Sequence, residues 1–192
     1  MTNSDKPDFI SEFPEVFPTK KITVLPPLRE VNHHINLNQV KWAPNPKMFT
    51  VPDKILPAYR QIIEDWKARQ IIYPCEANNP VNMFPKLKPN GKIRLLADLV
   101  PRNDIAKKND STIPNQSMIL RTVARAKYRS TLALSNWYFQ IRVASEDETL
   151  NTIKMPFGTF ACKVILQGDT NVPSTAMRVM EFVLDRLIGK TV

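Results

Sequence analysis

Residues 129–141 of the chain read R-S-T-L-A-L-S-N-W-Y-F-Q-I. Together with residues 142 and 143, this stretch predicts a β-strand, a tight turn of aromatic residues and a second strand. The segments on either side continue the same mixture of strands and tight turns, and they add helices.

Two hairpins flank this stretch. The first pairs Val81–Lys88 with Lys92–Leu99 around residues 89–91, P-N-G, a turn in which the glycine takes positive φ. The second hairpin turns at residues 156–158, P-F-G. A short strand is also predicted at residues 71–73, I-I-Y.

Three helices are predicted, each with a proline in its first turn, at residues 52–70, 114–127 and 173–188. The apolar face of the first helix is predicted to contain Ile55, Tyr59, Ile62, Ile63 and Trp66. The buried stripe of the last helix is predicted to contain Ala176, Met180, Val183, Leu184 and Leu187. Helices mixed with antiparallel hairpins indicate an α+β fold.

Residues 1–50 are predicted to form a proline-rich N-terminal arm or linker, and residues 51–192 the main domain. Within the arm, residues 33–37 are predicted to be a short strand that lies against the main body. The pair His33 and His34 suggests a metal site, but neighbouring histidines on a strand point apart, so a structural or exposed pair is favoured.

The net charge of the 192-residue chain is +9, and most of the excess lies in one segment. Residues 86–129 contain 11 lysines and arginines but only three acidic residues. A localised basic stretch indicates either a polyanionic partner or simply a solvated face.

The remaining composition predicts an intracellular protein, cytoplasmic or nuclear. Two cysteines, Cys75 and Cys162, are too few and too far apart for a disulfide framework or zinc site. The sequence contains no signal-peptide pattern and no apolar run long enough to span a bilayer.

Several motifs resemble the reverse transcriptases (RNA-directed DNA polymerases) of gypsy-class LTR retrotransposons. Residues 25–33 resemble the L-P-P-x-R-x-x-D-H segment that leads into the enzyme. Arg94, Asp98 and Asn103 follow the fingers motif R-x-x-x-D-x-R-x-x-N, except that the middle arginine stands at Arg102. Residues 129–141 resemble F-S-x-[IL]-D-L-x-x-[GA]-Y-x-Q-I, and residues 166–169, L-Q-G-D, resemble the loop before a palm helix.

The resemblance implies a right-hand polymerase fold of fingers and palm, with a palm that is incomplete. The family uses Mg²⁺ held by one aspartate of the strand motif and two of a later Y-x-D-D hairpin. The first of these falls on Ala133, whose methyl group cannot bind a metal, and the Y-x-D-D motif is expected beyond Val192. No bound cofactor or metal is therefore expected, and the acids at 98, 146–148 and 169 are not expected to substitute.

The resemblance also implies two sets of binding residues. The nucleotide would be bound by Lys86, Lys88, Arg94, Tyr138 and Gln167. RNA or DNA would be bound weakly, without sequence preference, by Lys92, Lys107, Lys108, Arg121 and Arg125. The bulk of Trp137, where the family has a small residue, puts the backbone turn that binds the triphosphate in question.

The sequence therefore suggests a reverse transcriptase derivative that does not polymerise DNA. The alternative is a nucleic-acid-binding or scaffolding protein that uses the basic fingers. Self-association, or a partner that covers the incomplete palm, is also expected.

Overall fold

The computed structural model describes residues 12–13, 24–38, 48–89, 91–109, 115–131, 134 and 136–189. Within these ranges five strands form one mixed sheet in the order β1-β5-β4-β2-β3. The strands are β1 (Ile72–Pro74), β2 (Val81–Leu87), β3 (Ile93–Ala97), β4 (Thr152–Met155) and β5 (Gly158–Cys162).

Both predicted hairpins are present. Strands β2 and β3 pair antiparallel around Gly91, whose φ is +75°. Strands β4 and β5 pair antiparallel from Met155 opposite Gly158. The two hairpins meet where β2 and β4 run parallel, with Val81 beside Ile153. Strand β1 pairs with β5 and begins one residue later than the predicted strand at residues 71–73.

The helices are α1 (Leu56–Ala68), the single turn α2 (Val100–Asn103), α3 (Gln116–Arg125) and α4 (Val172–Leu184). Two 3₁₀ helices span Trp137–Gln140 and Ser145–Leu150. Helices and one mixed sheet confirm the α+β class. In the described ranges, every helix is too short or too polar to cross a bilayer.

The prediction of where two of the helices begin was wrong. Pro52 precedes the first helix, because its carbonyl oxygen accepts the Ile55 N–H in a separate turn at 2.8 Å. Helix α1 then begins at Leu56, with Pro57 in its first turn. Helix α3 begins after Asn115, whose side-chain oxygen accepts the N–H of Ser117 at 3.0 Å; Pro114 lies outside the described residues.

The prediction of two strands within residues 129–143 was wrong for the part that is described. Asn136 takes a left-handed conformation with φ +51°, and the 3₁₀ helix Trp137–Gln140 follows directly. Beyond it, Arg142 and Val143 make only single β-bridges, to Val164 and His33. The tight aromatic turn predicted between the two strands is confirmed, and its aromatic side chains pack on the buried clusters. Residues 132, 133 and 135 lie outside the described residues.

Two apolar clusters form the interior. The first cluster packs α1 on the sheet and includes Tyr59, Ile63, Val81, Ile153 and Phe160. The second cluster lies beside α4 and consists of Ile35, Ile141, Val143, Ile165, Val172 and Val179, with Trp137 and Tyr138 packed against it. Each fully buried aliphatic or aromatic side chain stabilises the fold by about 1.5–3 kcal/mol.

Residues 24–38 pack on the main body. His33 exchanges backbone hydrogen bonds of 2.9 Å with Arg142 and Ala144, and Ile35 is buried in the second cluster. The contacts are single bridges rather than the predicted strand. Residues 24–38 therefore contribute to the core, while the division of the whole chain at residue 50 stays a prediction.

The predicted buried stripe of the last helix was wrong. The buried residues of α4 are Val172, Thr175 and Val179. Val183 is 59% exposed and Leu187, beyond the end of the helix, is 45% exposed. Of the predicted stripe, Ala176 packs against the second cluster and Met180 and Leu184 are partly buried, so the apolar side chains become more exposed toward the end of α4.

Candidate nucleotide and nucleic-acid site

The fold brings two of the predicted nucleotide-binding side chains into contact. A guanidinium nitrogen of Arg94, on strand β3, donates a hydrogen bond to the side-chain oxygen of Gln167. Lys86 stands directly opposite Arg94 in the β2–β3 register. Because cross-strand partners lie on the same face of a hairpin, Lys86, Arg94 and Gln167 form one exposed polar group.

The loop of Gln167 is fixed by the side chain of Asn103. The Asn103 amide donates to the carbonyl oxygen of Gly168 at 2.8 Å, and its oxygen accepts the N–H of Thr170 at 3.0 Å. Gly168 has φ +103°, a conformation that L side chains rarely adopt. The loop that presents Gln167 is therefore rigid at its base.

Asp169, two residues beyond Gln167, lies in a buried ion pair. Its carboxylate accepts a hydrogen bond of 2.7 Å from Arg102, which is 1% exposed. Arg102 also donates to the Leu150 carbonyl oxygen at 3.1 Å and to the Asn151 side chain at 3.0 Å. Arg102 therefore supports the core.

His33 lies next to this ion pair. Its ring shares a hydrogen bond of 2.9 Å with the Thr175 hydroxyl, and its Nε2 is 3.7 Å from the Asp169 carboxylate. Burial raises the pKa of the Asp169 carboxyl, but His33, Arg102 and the Asn171 N–H outweigh it and lower the pKa to about 2. The carboxylate therefore stays charged at neutral pH.

Tyr138 and the remaining predicted nucleotide residue, Lys88, lie apart from this contact. Tyr138 is half-buried against the second apolar cluster. Lys88 is exposed at the hairpin turn, where its N–H donates to the Lys92 carbonyl oxygen at 2.8 Å. In the described structure no hydrogen bond joins Tyr138 to Arg94 or Gln167, and the proposed contact of Tyr138 with a sugar stays a prediction.

The acidic run at 146–148 lies in the first turn of the 3₁₀ helix Ser145–Leu150, and two of its members have structural roles. Glu148 is buried and accepts a hydrogen bond of 3.0 Å from Arg142. Asp147 accepts the Ile35 N–H at 3.1 Å and lies 3.3 Å from His34. Glu146 is exposed.

The predicted nucleic-acid-binding residues fall in three places. Lys92 is on the hairpin, and Arg121 and Arg125 are exposed on α3, a helix with no buried residue. Lys107 and Lys108 line a cavity of about 570 Å³, here called the basic cleft. The other residues that line the basic cleft are Asn32, His34, Asn36, Asn109, Ser174, Thr175 and Arg178. The sequence did not single out Arg178, because one arginine on a helix has no distinguishing pattern.

The residues of this chain that match the family's metal motif do not fit a magnesium site. Ala133 offers no oxygen ligand, and its position lies outside the described residues. Among the residues that the structure describes, no three His, Cys, Asp or Glu side chains are grouped closely enough to hold an ion.

Solved structures identify the class of fold. All of this chain matches part of a foamy viral protease-reverse transcriptase solved in complex with dsDNA, with a TM-score of 0.79 and 18% identity. The matched part is 40% of the viral protein's chain. This chain also matches the same kind of protein in complex with an RNA/DNA hybrid with a TM-score of 0.76 and 19% identity, over 96% of this chain and 25% of the other. The fold is therefore that of a retroviral reverse transcriptase.

Sequence relatives are consistent with this fold, although no family profile matches the chain. A retrovirus-related Pol polyprotein from the transposon opus of Drosophila melanogaster is 28% identical over 116 residues, and the Pro-Pol polyprotein of feline foamy virus is 23% identical over 141 residues. These matches cover 59% and 73% of this chain, and each spans 12% of the polyprotein. An RNA-directed DNA polymerase homolog of Oenothera berteroana is 29% identical over 92 residues, 48% of this chain and 65% of that protein. The homologues are thus Pol polyproteins of retroviruses and transposons and an RNA-directed DNA polymerase homolog.

Proposed function

We propose that this chain derives from a retrotransposon reverse transcriptase of the gypsy class, with its sheet and helices divided into fingers and palm. In this proposal it binds nucleotides and nucleic acid but does not polymerise DNA. The observation that carries the proposal is the contact between Arg94 and Gln167 on a reverse transcriptase fold. Two residues 73 positions apart, each expected at the nucleotide, meet at one place.

Charge and exposure support a phosphate ligand at this contact. Lys86 and Arg94 are exposed cations on the same face of the hairpin, and an arginine fork pairs well with phosphate oxygens. Gln167 occupies one side of the Arg94 guanidinium and leaves its other N–H groups available for a ligand. The rigid base at Asn103 keeps the amide of Gln167 in a fixed position.

The absence of polymerase activity follows from Ala133. Two-metal catalysis needs carboxylates that hold both ions at the reacting phosphate. An alanine at the position of the family's strand aspartate removes one of them. In this proposal Lys86, Arg94 and Gln167 still bind and orient a nucleotide, but the chain does not activate a primer hydroxyl.

Primer extension on an RNA template tests the lack of activity. Purified protein with Mg²⁺ or Mn²⁺ should give no template-dependent product under conditions in which an active reverse transcriptase extends the same primer. A product that depends on the template would contradict the proposal.

Nucleotide binding tests the retained site separately. Replacing both Lys86 and Arg94 by alanine should weaken the binding of a fluorescent deoxynucleoside triphosphate about tenfold or more, because hydrogen bonds to charged groups contribute roughly 1.5–3 kcal/mol each. A matched control replaces Lys54 and Arg186, two exposed cations elsewhere, and should bind as the parent protein does. Equal affinities for both double variants would exclude the hairpin as the nucleotide site.

A second candidate function is scaffolding through self-association, and the exposed apolar surface of α3 favours it. Met118, Leu120 and Tyr128 are 70%, 60% and 83% exposed. Residues 115–131 contain four cations and no acid, whereas Glu181 on α4 and Asp185 just after it are exposed acids, with Arg186 beside them. We propose that α3 of one copy packs on the end of α4 of a second copy.

Light scattering during gel filtration tests this pairing. Changing Met118 and Leu120 to lysine should shift an oligomer toward the monomer without lowering the melting temperature, since both side chains are already exposed. A parent protein that stays monomeric at high concentration would refute it.

A further inference from the structure

Strand β3 lies at one end of the sheet, where β2 is its neighbour. The register of these two strands shows which backbone groups of β3 are already paired. The Lys88 N–H donates to the Lys92 carbonyl oxygen at 2.8 Å, and the Asp98 N–H donates to the Asn82 carbonyl oxygen at 2.8 Å. Hydrogen-bonded and non-hydrogen-bonded pairs alternate along an antiparallel ladder. Between these two ends, the residues of β3 therefore bond to β2 at the even-numbered positions.

The odd-numbered residues of β3 present their backbone groups to the outside of the sheet. Ile93, Leu95 and Ala97 direct their N–H and carbonyl groups away from β2, and in the part of the chain that the structure describes no other backbone group bonds to them. Met83, which stands opposite Ala97, agrees with this alternation, because its carbonyl oxygen accepts the Tyr59 hydroxyl at 2.8 Å. A row of such groups is an edge that a foreign strand can extend.

The two faces of this edge differ in chemistry. The side chains of Ile93, Leu95 and Ala97 share one face, and the last two pack against the first apolar cluster. The other face carries four exposed cations, Lys86, Lys88, Lys92 and Arg94. Residues 86–97 contain no aspartate or glutamate. One side of the edge is thus apolar and the other is strongly basic.

We propose that the outer edge of β3 binds an extended peptide in which acidic and apolar side chains alternate. The peptide adds an antiparallel strand, and its backbone bonds to Ile93, Leu95 and Ala97. Its apolar side chains lie beside these three residues, and its acidic side chains lie beside Lys92 and Arg94, where opposite charges on neighbouring strands stabilise the pairing. Strand addition takes affinity from main-chain hydrogen bonds and specificity from the alternating side chains. This inference goes beyond the proposed function, since the ligand is a polypeptide.

The charge of the edge favours an acidic partner over a second copy of this chain. Two β3 strands placed edge to edge would bring both sets of four cations together, and no acid within residues 86–97 of either copy would offset them. Like charges on neighbouring strands destabilise a pairing, and lysines on edge strands commonly prevent self-association.

Synthetic peptides test the binding on the unmodified protein. The probe is a labelled peptide of about seven residues in which glutamate and valine alternate, and fluorescence anisotropy gives its affinity. In an antiparallel pairing the valine N–H groups donate to the β3 edge and the glutamate N–H groups point away. N-methylation of the valines should therefore weaken binding about tenfold or more, because several hydrogen bonds are lost. N-methylation of the glutamates, the matched control, should leave most of the affinity. Equal affinities of the two methylated peptides would show that charge alone attracts the probe and would overturn the inference.

Hydrogen exchange locates the bound peptide. When the glutamate–valine probe is added, the amides of Ile93, Leu95 and Ala97 should exchange more slowly. The amides of Arg94 and Leu96 already bond to β2, so their exchange should stay as it was. Slower exchange that does not alternate along β3, or that occurs in another element, would contradict the proposal.

A pair of variants tests the edge from the side of the protein. Ile93→Pro removes an N–H that points outward, and proline is tolerated on edge strands. The control Ile93→Val keeps this N–H. The proline variant should bind the probe about threefold or more weakly than the control, because it lacks one hydrogen bond. Equal affinities of the two variants would refute the proposal, and if Ile93→Pro lowers the melting temperature, the methylated peptides decide.

Discussion

Replacing Asp169 by asparagine should destabilise the protein severely. The substitution keeps the shape of the side chain but removes the charge that pairs with Arg102 at 2.7 Å, where both side chains are almost fully buried. Breaking a buried ion pair by removing one partner costs about 3–5 kcal/mol, because the other charge stays desolvated. A typical domain is stable by only about 5–15 kcal/mol. At about 2–4 °C per kcal/mol for a chain of this size, the melting temperature should fall by roughly 6–20 °C.

Thermal unfolding followed by circular dichroism measures this effect, and Asp104→Asn is the matched control. Asp104 is exposed, so its substitution should change the melting temperature by less than about 2 °C. A double variant, Arg102→Met with Asp169→Leu, should recover much of the loss, since an apolar pair of similar volume often replaces a buried ion pair at little cost. A drop of less than about 1 kcal/mol for Asp169→Asn would show that the buried ion pair does not stabilise the fold as described.

Three further predictions follow from the same structure. The pKa of Asp169 is lowered to about 2 from an ordinary value near 3.8. The ionised carboxylate therefore stabilises the fold fully above a pH of about 4, and this stabilisation is lost as the pH falls toward 2. Urea titrations across this range should show that the free energy of unfolding decreases by about 2 kcal/mol, a decrease that Asp169→Asn should lack. Burial raises the pKa of the Cys162 thiol to about 12, whereas Cys75 is only partly buried. A thiol reagent should therefore modify Cys75 alone in the native protein, and Cys75→Ser should abolish the reaction. Rapid reaction of both thiols would contradict this prediction. Gly168→Ala should lower the free energy of unfolding by about 1–3 kcal/mol, because a backbone φ of +103° is strained for any L side chain. Chemical denaturation measures this loss, and the control Ser117→Ala, at an exposed position, should show almost none.

Local chemistry made the hairpins and the start of α4 predictable from the sequence. A Pro-Asn-Gly turn between two β-rich runs specifies its own geometry, and Pro173 fits the first turn of a helix wherever that helix packs. Arg94 and Gln167 were selected by the resemblance of their motifs to a known family rather than by local chemistry, and only the fold reveals that they touch.

Features that depend on distant contacts were not predictable. Arg102 and Asp169 are 67 positions apart, and each looks like an ordinary surface charge until the chain folds. The buried face of α4 was misassigned because apolar periodicity alone fixes neither the direction in which the helix meets its partner nor how much of the helix has a partner. The tight aromatic turn at residues 137–140 was predicted, but the strand expected after it was not, because Arg142 and Val143 form only single bridges to distant parts of the chain.

The meeting of the two hairpins through strands β2 and β4 has a consequence for how the protein folds. Each hairpin closes over a few residues, but the parallel pairing of Val81 with Ile153 and Asn82 with Lys154 joins positions about 70 residues apart. Closing so long a loop for two pairs of residues slows folding relative to local contacts. The hairpins should therefore form early and independently, and their junction should limit the rate. During refolding, the amides that bond between β2 and β4 should become protected from hydrogen exchange later than those that bond between β4 and β5.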